Sequence, residues 1–202
     1  MPAPPPNSRA RARALRALQI TADEVVARAE ILARIARAGP GFALELRDPD
    51  LDARALHDWG CELRRATRAA GALFFVNDRL DLALALEADG VHLGRGSLAV
   101  ADAKRLAGEC LISCSAHDLD DVRGAADAGA DLVVLSPIFE SPGKGAPLGI
   151  ELLARARASL PAHVGLIALG GVDGANAQAC FSAGAGAVAS IRADLTGVDR
   201  PS

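Results

Sequence analysis

The stretch Leu166–Val172, with the sequence LIALGGV, is a short apolar run that ends in two glycines. Its branched apolar residues predict a buried β-strand, and Gly170 and Gly171 predict a sharp turn directly after that strand. Because glycine has no Cβ, the backbone N–H groups of such a turn approach an anion closely. The stretch therefore predicts a strand that ends in an anion-binding turn.

Apolar runs of the same kind recur along the 202 residues, and Ala-rich stretches with helical spacing separate them. The predicted strands are Ala17–Thr21, Phe42–Arg47, Leu73–Val76, Gly90–Leu93, Leu111–Ser115, Leu132–Ser136, Val164–Leu169 and Ala185–Ile191. The predicted helices are Asp23–Ala38, Asp52–Ala69, Leu80–Glu87, Val100–Ala107, Leu119–Ala128, Ile150–Ser159 and Gly174–Ala183. This alternation predicts a parallel sheet covered by helices.

Such a sheet either closes into a barrel or stays open as a doubly wound sheet. We favour a single (β/α)8 TIM barrel, because an open dinucleotide-binding sheet carries GxGxxG after its first strand, and no glycine follows Ile20 here. We assign residues 1–16 to a flexible basic tail or short helix, 17–192 to the barrel and 193–202 to a C-terminal tail.

That C-terminal tail is too short for a full closing helix, so the last helix of the barrel is predicted to be shortened or missing. We expect the gap over the first and last strands to be covered by the N-terminal Arg/Ala segment, by a partner subunit or by nothing. A partner subunit there would make the protein a homodimer.

Charge and cysteine content limit the choice of partners. The formal net charge of -3 gives no general attraction to nucleic acid or to acidic membranes, so we expect a small-molecule ligand. The start of the chain lacks the apolar region of a secretion signal, and the four cysteines form no CxxC, which is typical of buried thiols in a cytoplasmic protein. No zinc site is predicted, because a strand would scatter Cys110, Cys114 and His117 along its length.

Polar residues and glycines follow most of the predicted strands, where the active sites of barrels gather. They are Glu45, Arg47, Asn77, Asp78, His92, Ser97, Ser115, His117, Ser141, Lys144, Gly170, Gly171, Ser190 and Arg192. Guanidinium, ammonium and glycine amide groups suit a phosphate, and a histidine suits proton transfer near neutral pH. The sequence therefore predicts an enzyme that acts on a phosphorylated small molecule.

Three segments carry a family resemblance: NDRLDLALALEADGVHLG, SCSAHDLDDVRGAADAGADLVVLSPIFESPGKG and IALGGV. Together they resemble the thiamine-phosphate synthase and thiazole tautomerase family over residues 17–191. The resemblance implies a (β/α)8 barrel that binds a thiazole phosphate. It also implies two possible reactions: a Mg²⁺-dependent coupling of a pyrimidine diphosphate with thiazole phosphate, or a metal-independent proton shift on a thiazole carboxylate phosphate.

The chain departs from the synthase pattern at several positions that the resemblance identifies. Pro49 stands where synthases show a lysine for the diphosphate, and Ser97 stands where they show a second magnesium carboxylate. Glu45 replaces a glutamine, whereas Asp78 matches the first magnesium carboxylate. His117 falls where tautomerases have their catalytic histidine.

These departures lead us to predict a thiazole tautomerase, with thiamine-phosphate synthase or a catalytically silent phosphate-binding barrel as the alternatives. His117 is the predicted catalytic residue. The predicted substrate- and phosphate-binding residues are Arg47, Asn77, Ser115, Ser141, Lys144, Gly170, Gly171, Ile191 and Arg192. No metal or other cofactor is expected for the tautomerase, whereas the synthase alternative would use Mg²⁺ at Asp78.

Overall fold

The computed structural model describes residues 8–22 and 24–200. Across these residues, eight parallel strands close into a barrel in which each strand pairs with its neighbour in sequence and β8 pairs with β1. The strands are β1 (Ala17–Ile20), β2 (Phe42–Leu46), β3 (Leu73–Asn77), β4 (Gly90–Leu93), β5 (Leu111–Ala116), β6 (Leu132–Leu135), β7 (Gly165–Leu169) and β8 (Ala187–Ser190). The predicted (β/α)8 barrel is confirmed.

Helices alternate with these strands. They are α1 (Ser8–Arg13), α2 (Arg28–Ala38), α3 (Ala53–Ala70), α4 (Leu80–Ala85), α5 (Val100–Leu106), α6 (Leu119–Asp127), α7 (Gly149–Ser159) and α8 (Ala177–Ser182). The longest, α3, begins where the Asp52 side chain accepts the amide of Ala55 and ends at Gly71, whose φ of 68° is left-handed. The predicted start of α2 at Asp23 lies outside the described residues, as do residues 1–7 and 201–202 of the predicted tails.

Alternate residues of each strand face either the barrel interior or the surrounding helices, because side chains alternate along a strand. The outward set packs with the helices into the larger core, and the inward set forms a smaller core that includes Phe75, Leu132, Val134 and Ile167. A Cβ at Gly90 would lie 2.3 Å from the Phe75 ring, so glycine is required there. Inward residues near the carboxyl ends of the strands therefore reach the barrel mouth.

A buried ion network holds α1 against the N-terminal ends of β3 and β4. Its centre is Asp89, which is fully buried and accepts hydrogen bonds from Arg64 at 2.8 Å, from Arg11 at 3.2 Å and from the Phe74 amide at 2.9 Å. Arg11 also donates to the carbonyls of Gly71 and Ala72. Burial lowers the pKa of Arg64, and the Asp89 carboxylate opposes that effect. The N-terminal helix therefore lies beneath the barrel.

The C-terminal segment covers the outer side of β8 and β1 without forming a helix. Leu195 is buried in the larger core, and Arg34 donates to the carbonyls of Arg192 at 3.2 Å and Ala193 at 3.1 Å. Among residues 191–200, which the structure describes, no helix follows β8. Residues 191–200 of the chain therefore lie over this gap in an irregular path with bends and a turn, and a covering by a partner subunit stays a prediction. A homodimer stays a prediction, but the uncovered surface that motivated it is occupied by residues 191–200.

No helix in the described ranges is both long and apolar enough to span a membrane. Cys61, Cys110, Cys114 and Cys180 are all free, and burial raises the pKa of Cys110 and Cys180 to about 11. Within the same ranges, no group of three or more histidine, cysteine or acidic side chains is arranged to hold a metal ion.

Candidate active site

The barrel mouth has a cleft that is built mainly from backbone after β7 and β8. This cleft has a volume of about 400 Å³. It is lined by Ser141, Pro142, the residues from Leu169 to Asp173 and those from Ala189 to Ala193. We call it the glycine cleft. The structure thus brings together five of the predicted binding residues: Ser141, Gly170, Gly171, Ile191 and Arg192.

Glycine is required at both positions of the turn after β7. The φ angles of Gly170 and Gly171 are 95° and 66°, a region that residues with a side chain rarely adopt. A Cβ at Gly170 would lie 2.6 Å from Pro137 Cα, and one at Gly171 would lie 2.4 Å from the Glu140 carbonyl oxygen. The turn therefore packs directly against the loop after β6, and both conformation and space exclude larger residues.

Four backbone amides at this cleft have no hydrogen-bond acceptor among the described residues. They belong to Gly170, Gly171, Ile191 and Arg192. Unpaired N–H groups that converge on a cleft favour an anion, and this is the usual position of a phosphate in barrels with an active site at this end. The Arg192 side chain lies beside them and adds a positive charge. The cleft can therefore hold a phosphate mainly through backbone groups.

Opposite this cleft, side chains of β2, β4 and β5 form a buried hydrogen-bonded group. His92 Nδ1 lies 2.9 Å from Ser113 Oγ, and His92 Nε2 lies 2.8 Å from Ser115 Oγ. Glu45 Oε2 lies 3.9 Å from His92 Nδ1. We call Glu45, His92, Ser113 and Ser115 the polar network. His92 and Ser113 are partners in the register of β4 and β5, which explains why they meet.

Glu45 is the most unusual member of the polar network. It is only 2% exposed, and its carboxyl group makes no hydrogen bond to the described part of the chain. Burial raises the pKa of Glu45, while the nearby charges of His92 and Arg47 lower it. Glu45 is therefore a buried carboxyl group inside the barrel that interacts electrostatically with His92 and Arg47.

Arg47 and Lys144 lie at the outer edge of the mouth. Both are exposed, and neither takes part in a side-chain hydrogen bond or ion pair within the described ranges. Thr21 fixes the backbone at Arg47, because its hydroxyl accepts the Arg47 amide at 2.8 Å and donates to the Arg47 carbonyl at 2.9 Å. These two cations can therefore meet an anionic substrate without first breaking a protein contact.

Asn77 and Asp78 end β3 at the mouth. Asn77 has the inward direction of Phe75 and pairs in register with His92. Asp78 has a φ of 62°, and its amide donates to the His92 carbonyl at 2.7 Å. Neither side chain caps α4, whose first turn has no side-chain cap. The Asp78 carboxylate is exposed and makes no ion pair within the described ranges, so it is available to a ligand or cation.

His117 lies away from the glycine cleft. It lines a separate cavity of about 400 Å³ between α5 and α6, together with Cys114, Asp121 and Gly94. Its Nδ1 lies 2.8 Å from the Ser136 carbonyl, and its amide donates to Asp121 at 2.9 Å. The structure therefore does not place His117 in the cavity that Gly170 and Gly171 line.

The sequence analysis named Glu45 and His92 among the polar residues near the strand ends but did not select them as site residues, and it did not name Ser113. The alternation of strand residues could have found them: Ser113 lies two residues before Ser115, and Glu45 two residues before Arg47, so each pair points to the same side. Their contact with one another was not accessible from spacing, because it depends on the register between β2, β4 and β5.

Comparisons with known proteins agree with this geometry. Residues 17–193 match the family described as thiamine monophosphate synthase. The chain is 40% identical over 172 residues to a thiamine-phosphate synthase of Moorella thermoacetica, covering 83% of this chain and 81% of that protein. It is 41% identical over 185 residues to one of Methanoculleus marisnigri, covering 87% and 86%.

A solved structure gives the same result. Thiamine phosphate pyrophosphorylase from Pyrococcus furiosus superposes with a TM-score of 0.81 and 28% identity, covering 93% of this chain and 90% of that one. These findings contradict the predicted thiazole tautomerase, because the relatives bear the name of the synthase. The tautomerase prediction is therefore wrong, and the chain belongs to the thiamine monophosphate synthase family.

Proposed function

We propose that this protein is a thiamine-phosphate synthase, a transferase that joins a pyrimidine methyl diphosphate to thiazole phosphate and releases pyrophosphate. Family membership and two relatives of about 40% identity support the proposal. The structural observation that carries it is the set of four amides at Gly170, Gly171, Ile191 and Arg192 that find no acceptor in the described part of the chain and suit the phosphate of the thiazole.

The proposed reaction needs charge stabilisation more than proton transfer. The C–O bond between the pyrimidine methylene carbon and the diphosphate breaks, and the electron pair leaves with the diphosphate. The lone pair of the thiazole nitrogen then forms the new C–N bond. Because no proton has to be removed in these steps, the mouth needs no general base, and its exposed cations Arg47 and Lys144 fit the departing diphosphate.

Mg²⁺ would supply further charge neutralisation for the diphosphate. Mg²⁺ is commonly bound by one or two carboxylates together with substrate phosphates and water. Asp78 provides one exposed, unpaired carboxylate at the mouth within the described ranges. Ser97, at the position of the expected second ligand, accepts the Gly94 amide with its hydroxyl at 2.8 Å. The site therefore fits Mg²⁺ with Asp78 as the protein ligand and most other ligands from substrate and water.

The test is to incubate the protein with both phosphorylated precursors and measure thiamine phosphate and pyrophosphate. We expect the two products in equal amounts, and complete loss of both on addition of EDTA. Asp78→Asn should raise the Mg²⁺ concentration for half-maximal rate by at least about tenfold. The matched control is Asp102→Asn in α5, a carboxylate that pairs with Arg105, and it should behave like the unchanged protein.

Two outcomes would contradict the proposal. The first is binding of thiazole phosphate without product formation at any Mg²⁺ concentration, which would support the silent phosphate-binding barrel. The second is product formation that EDTA and Asp78→Asn leave unchanged, which would remove the assigned role of Asp78.

A further inference from the structure

A second large cavity of the described structure lies at the end of the barrel opposite the mouth. It has a volume of about 680 Å³ and opens among the N-terminal ends of β5 to β8, next to α1. Its apolar wall includes Leu132, Ile167 and Ala187. We call it the lower cavity. It shares no lining residue with the glycine cleft, so it is a separate space.

The lower cavity is strongly cationic. Among the residues that the structure describes, five basic side chains and His163 line it, with a single carboxylate. The basic residues are Arg9, Arg13, Lys104, Arg157 and Arg200. The carboxylate, Asp131, is already engaged by Lys104 at 2.5 Å and by the Ile112 amide at 2.9 Å. Arg13, Arg157 and Arg200 have no acidic partner in the described ranges, which leaves their positive charge uncompensated.

Two of these guanidinium groups are held in fixed positions by backbone carbonyls. Arg157 donates to Val164 at 2.8 Å and to Leu160 at 2.7 Å. Arg200 donates through Nη2 to Leu15 at 2.7 Å and through Nε to Gly186 at 2.9 Å. Carbonyls orient a guanidinium but do not neutralise its charge, so these groups are pre-organised for an anion.

The glycine at position 184 leaves space for the Arg157 side chain. A Cβ at Gly184 would lie 2.6 Å from Arg157 Cγ, so a larger residue would displace that side chain. Arg157 lies in the last turn of α7, where a positive charge interacts favourably with the helix dipole, so stabilisation of the helix is enough to explain this residue. It does not account for Arg13 and His163, which are exposed at the cavity and whose side chains form no hydrogen bond or ion pair within residues 8–22 and 24–200.

We propose that the lower cavity is a second ligand site, which binds a small organic anion independently of the barrel mouth. The phosphate or carboxylate head contacts Arg13, Arg157 and Arg200, and the apolar body packs against Leu132, Ile167 and Ala187. The volume of about 680 Å³ is within the range typical of small-molecule sites. The proposal does not depend on the synthase activity.

Glycine amides at the two ends of the barrel allow binding at each end to be measured separately. Gly184 and Gly186 line the lower cavity, whereas Gly170 and Gly171 line the glycine cleft, so amide NMR shifts report the place of binding. Phenyl phosphate and benzoate serve as anionic probes, and benzyl alcohol serves as the neutral one. We expect saturable shifts of Gly184 and Gly186 with the anions, weakened by added salt, and none with benzyl alcohol. The tighter anion identifies the preferred head group.

The variant Arg13→Glu/His163→Glu should raise the Kd at Gly184 and Gly186 at least about tenfold and leave the shifts of Gly170 and Gly171 unchanged. Arg65→Glu, on the exposed face of α3, is the matched control. If the double glutamate variant does not fold, Arg13→Ser/His163→Ser replaces it, with a smaller expected change. Equal shifts with benzyl alcohol, an unchanged Kd in the variants or the absence of saturation up to roughly 10 mM would overturn the proposal.

Discussion

The two sides of the barrel mouth are built from different parts of the chain. The glycine cleft presents backbone amides, which any residue can supply once the backbone has the correct path. The polar network presents the side chains of Glu45, His92 and Ser115, and each needs its neighbour. The cleft therefore depends on conformation, whereas the network depends on residue identity. A substitution should damage the first through backbone geometry and the second through unpaired polar groups.

Gly171→Ala is expected to have the largest effect. The new methyl group would meet the Glu140 carbonyl at 2.4 Å, and alanine would be strained at a φ of 66°. We expect kcat/KM for thiamine-phosphate formation to fall about a hundredfold, because the amides would shift from the phosphate. Gly174→Ala is the control, since its methyl group would have no described atom within 4 Å apart from those of its chain neighbours. Unchanged activity of Gly171→Ala would show that backbone geometry does not control this side.

His92→Leu tests the other side through stability. The substitution leaves the hydroxyls of Ser113 and Ser115 without their buried partner. We expect the free energy of unfolding to fall by about 2 kcal/mol, measured by urea denaturation. His57→Leu, on a partly exposed part of α3, should change it by less than about 0.5 kcal/mol. Equal losses in both variants would mean that the polar network contributes no specific stability.

Ser97→Asp tests whether an added carboxylate side chain at the mouth strengthens the binding of Mg²⁺. The Asp carboxylate can still accept the Gly94 amide and would add a second carboxylate after β4, the strand that pairs with β3 before Asp78. We expect the Mg²⁺ concentration for half-maximal rate to fall about tenfold. Ser97→Asn, which keeps the acceptor without the charge, should leave that concentration unchanged. A similar fall in both variants would exclude charge as the cause.

Glu45→Gln should have the smallest effect, and one that depends on pH. Burial raises the pKa of Glu45, so its contribution to stability is fully present below the unfolded pKa and is lost as pH rises through the folded value. The neutral glutamine does not titrate. The urea midpoint of Glu45→Gln relative to the unchanged protein should therefore be higher at pH 8 than at pH 5.

The control for this pH dependence is Glu62→Gln on the exposed surface of α3. Its midpoint difference from the unchanged protein should be the same at both pH values. A Glu45→Gln difference that is also constant would mean that Glu45 titrates normally despite its burial.

Local patterns predicted the barrel and the glycine cleft well. Short apolar runs, amphipathic spacing and paired glycines are local signals, and they placed the strands within a few residues of their observed bounds. The turn at Gly170 and Gly171 was visible because its special φ angles require glycine. The family was visible from three short segments, but the choice between its two reactions rested on single substitutions such as Pro49 and Ser97, and that choice was wrong.

The sequence by itself determined the alternation of strands and helices and the conformation of the turn after β7, because both follow from the residues within each segment. Only the tertiary structure decided which polar groups meet. Arg64 and Asp89 form a contact across 25 residues of sequence, and Arg11 and Asp89 form one across 78. The His117 side chain contacts the Ser136 carbonyl and does not line the glycine cleft. The physical reason is that such contacts depend on strand register and on which side of a strand end each side chain faces. Neither can be read from the spacing of residues along the chain.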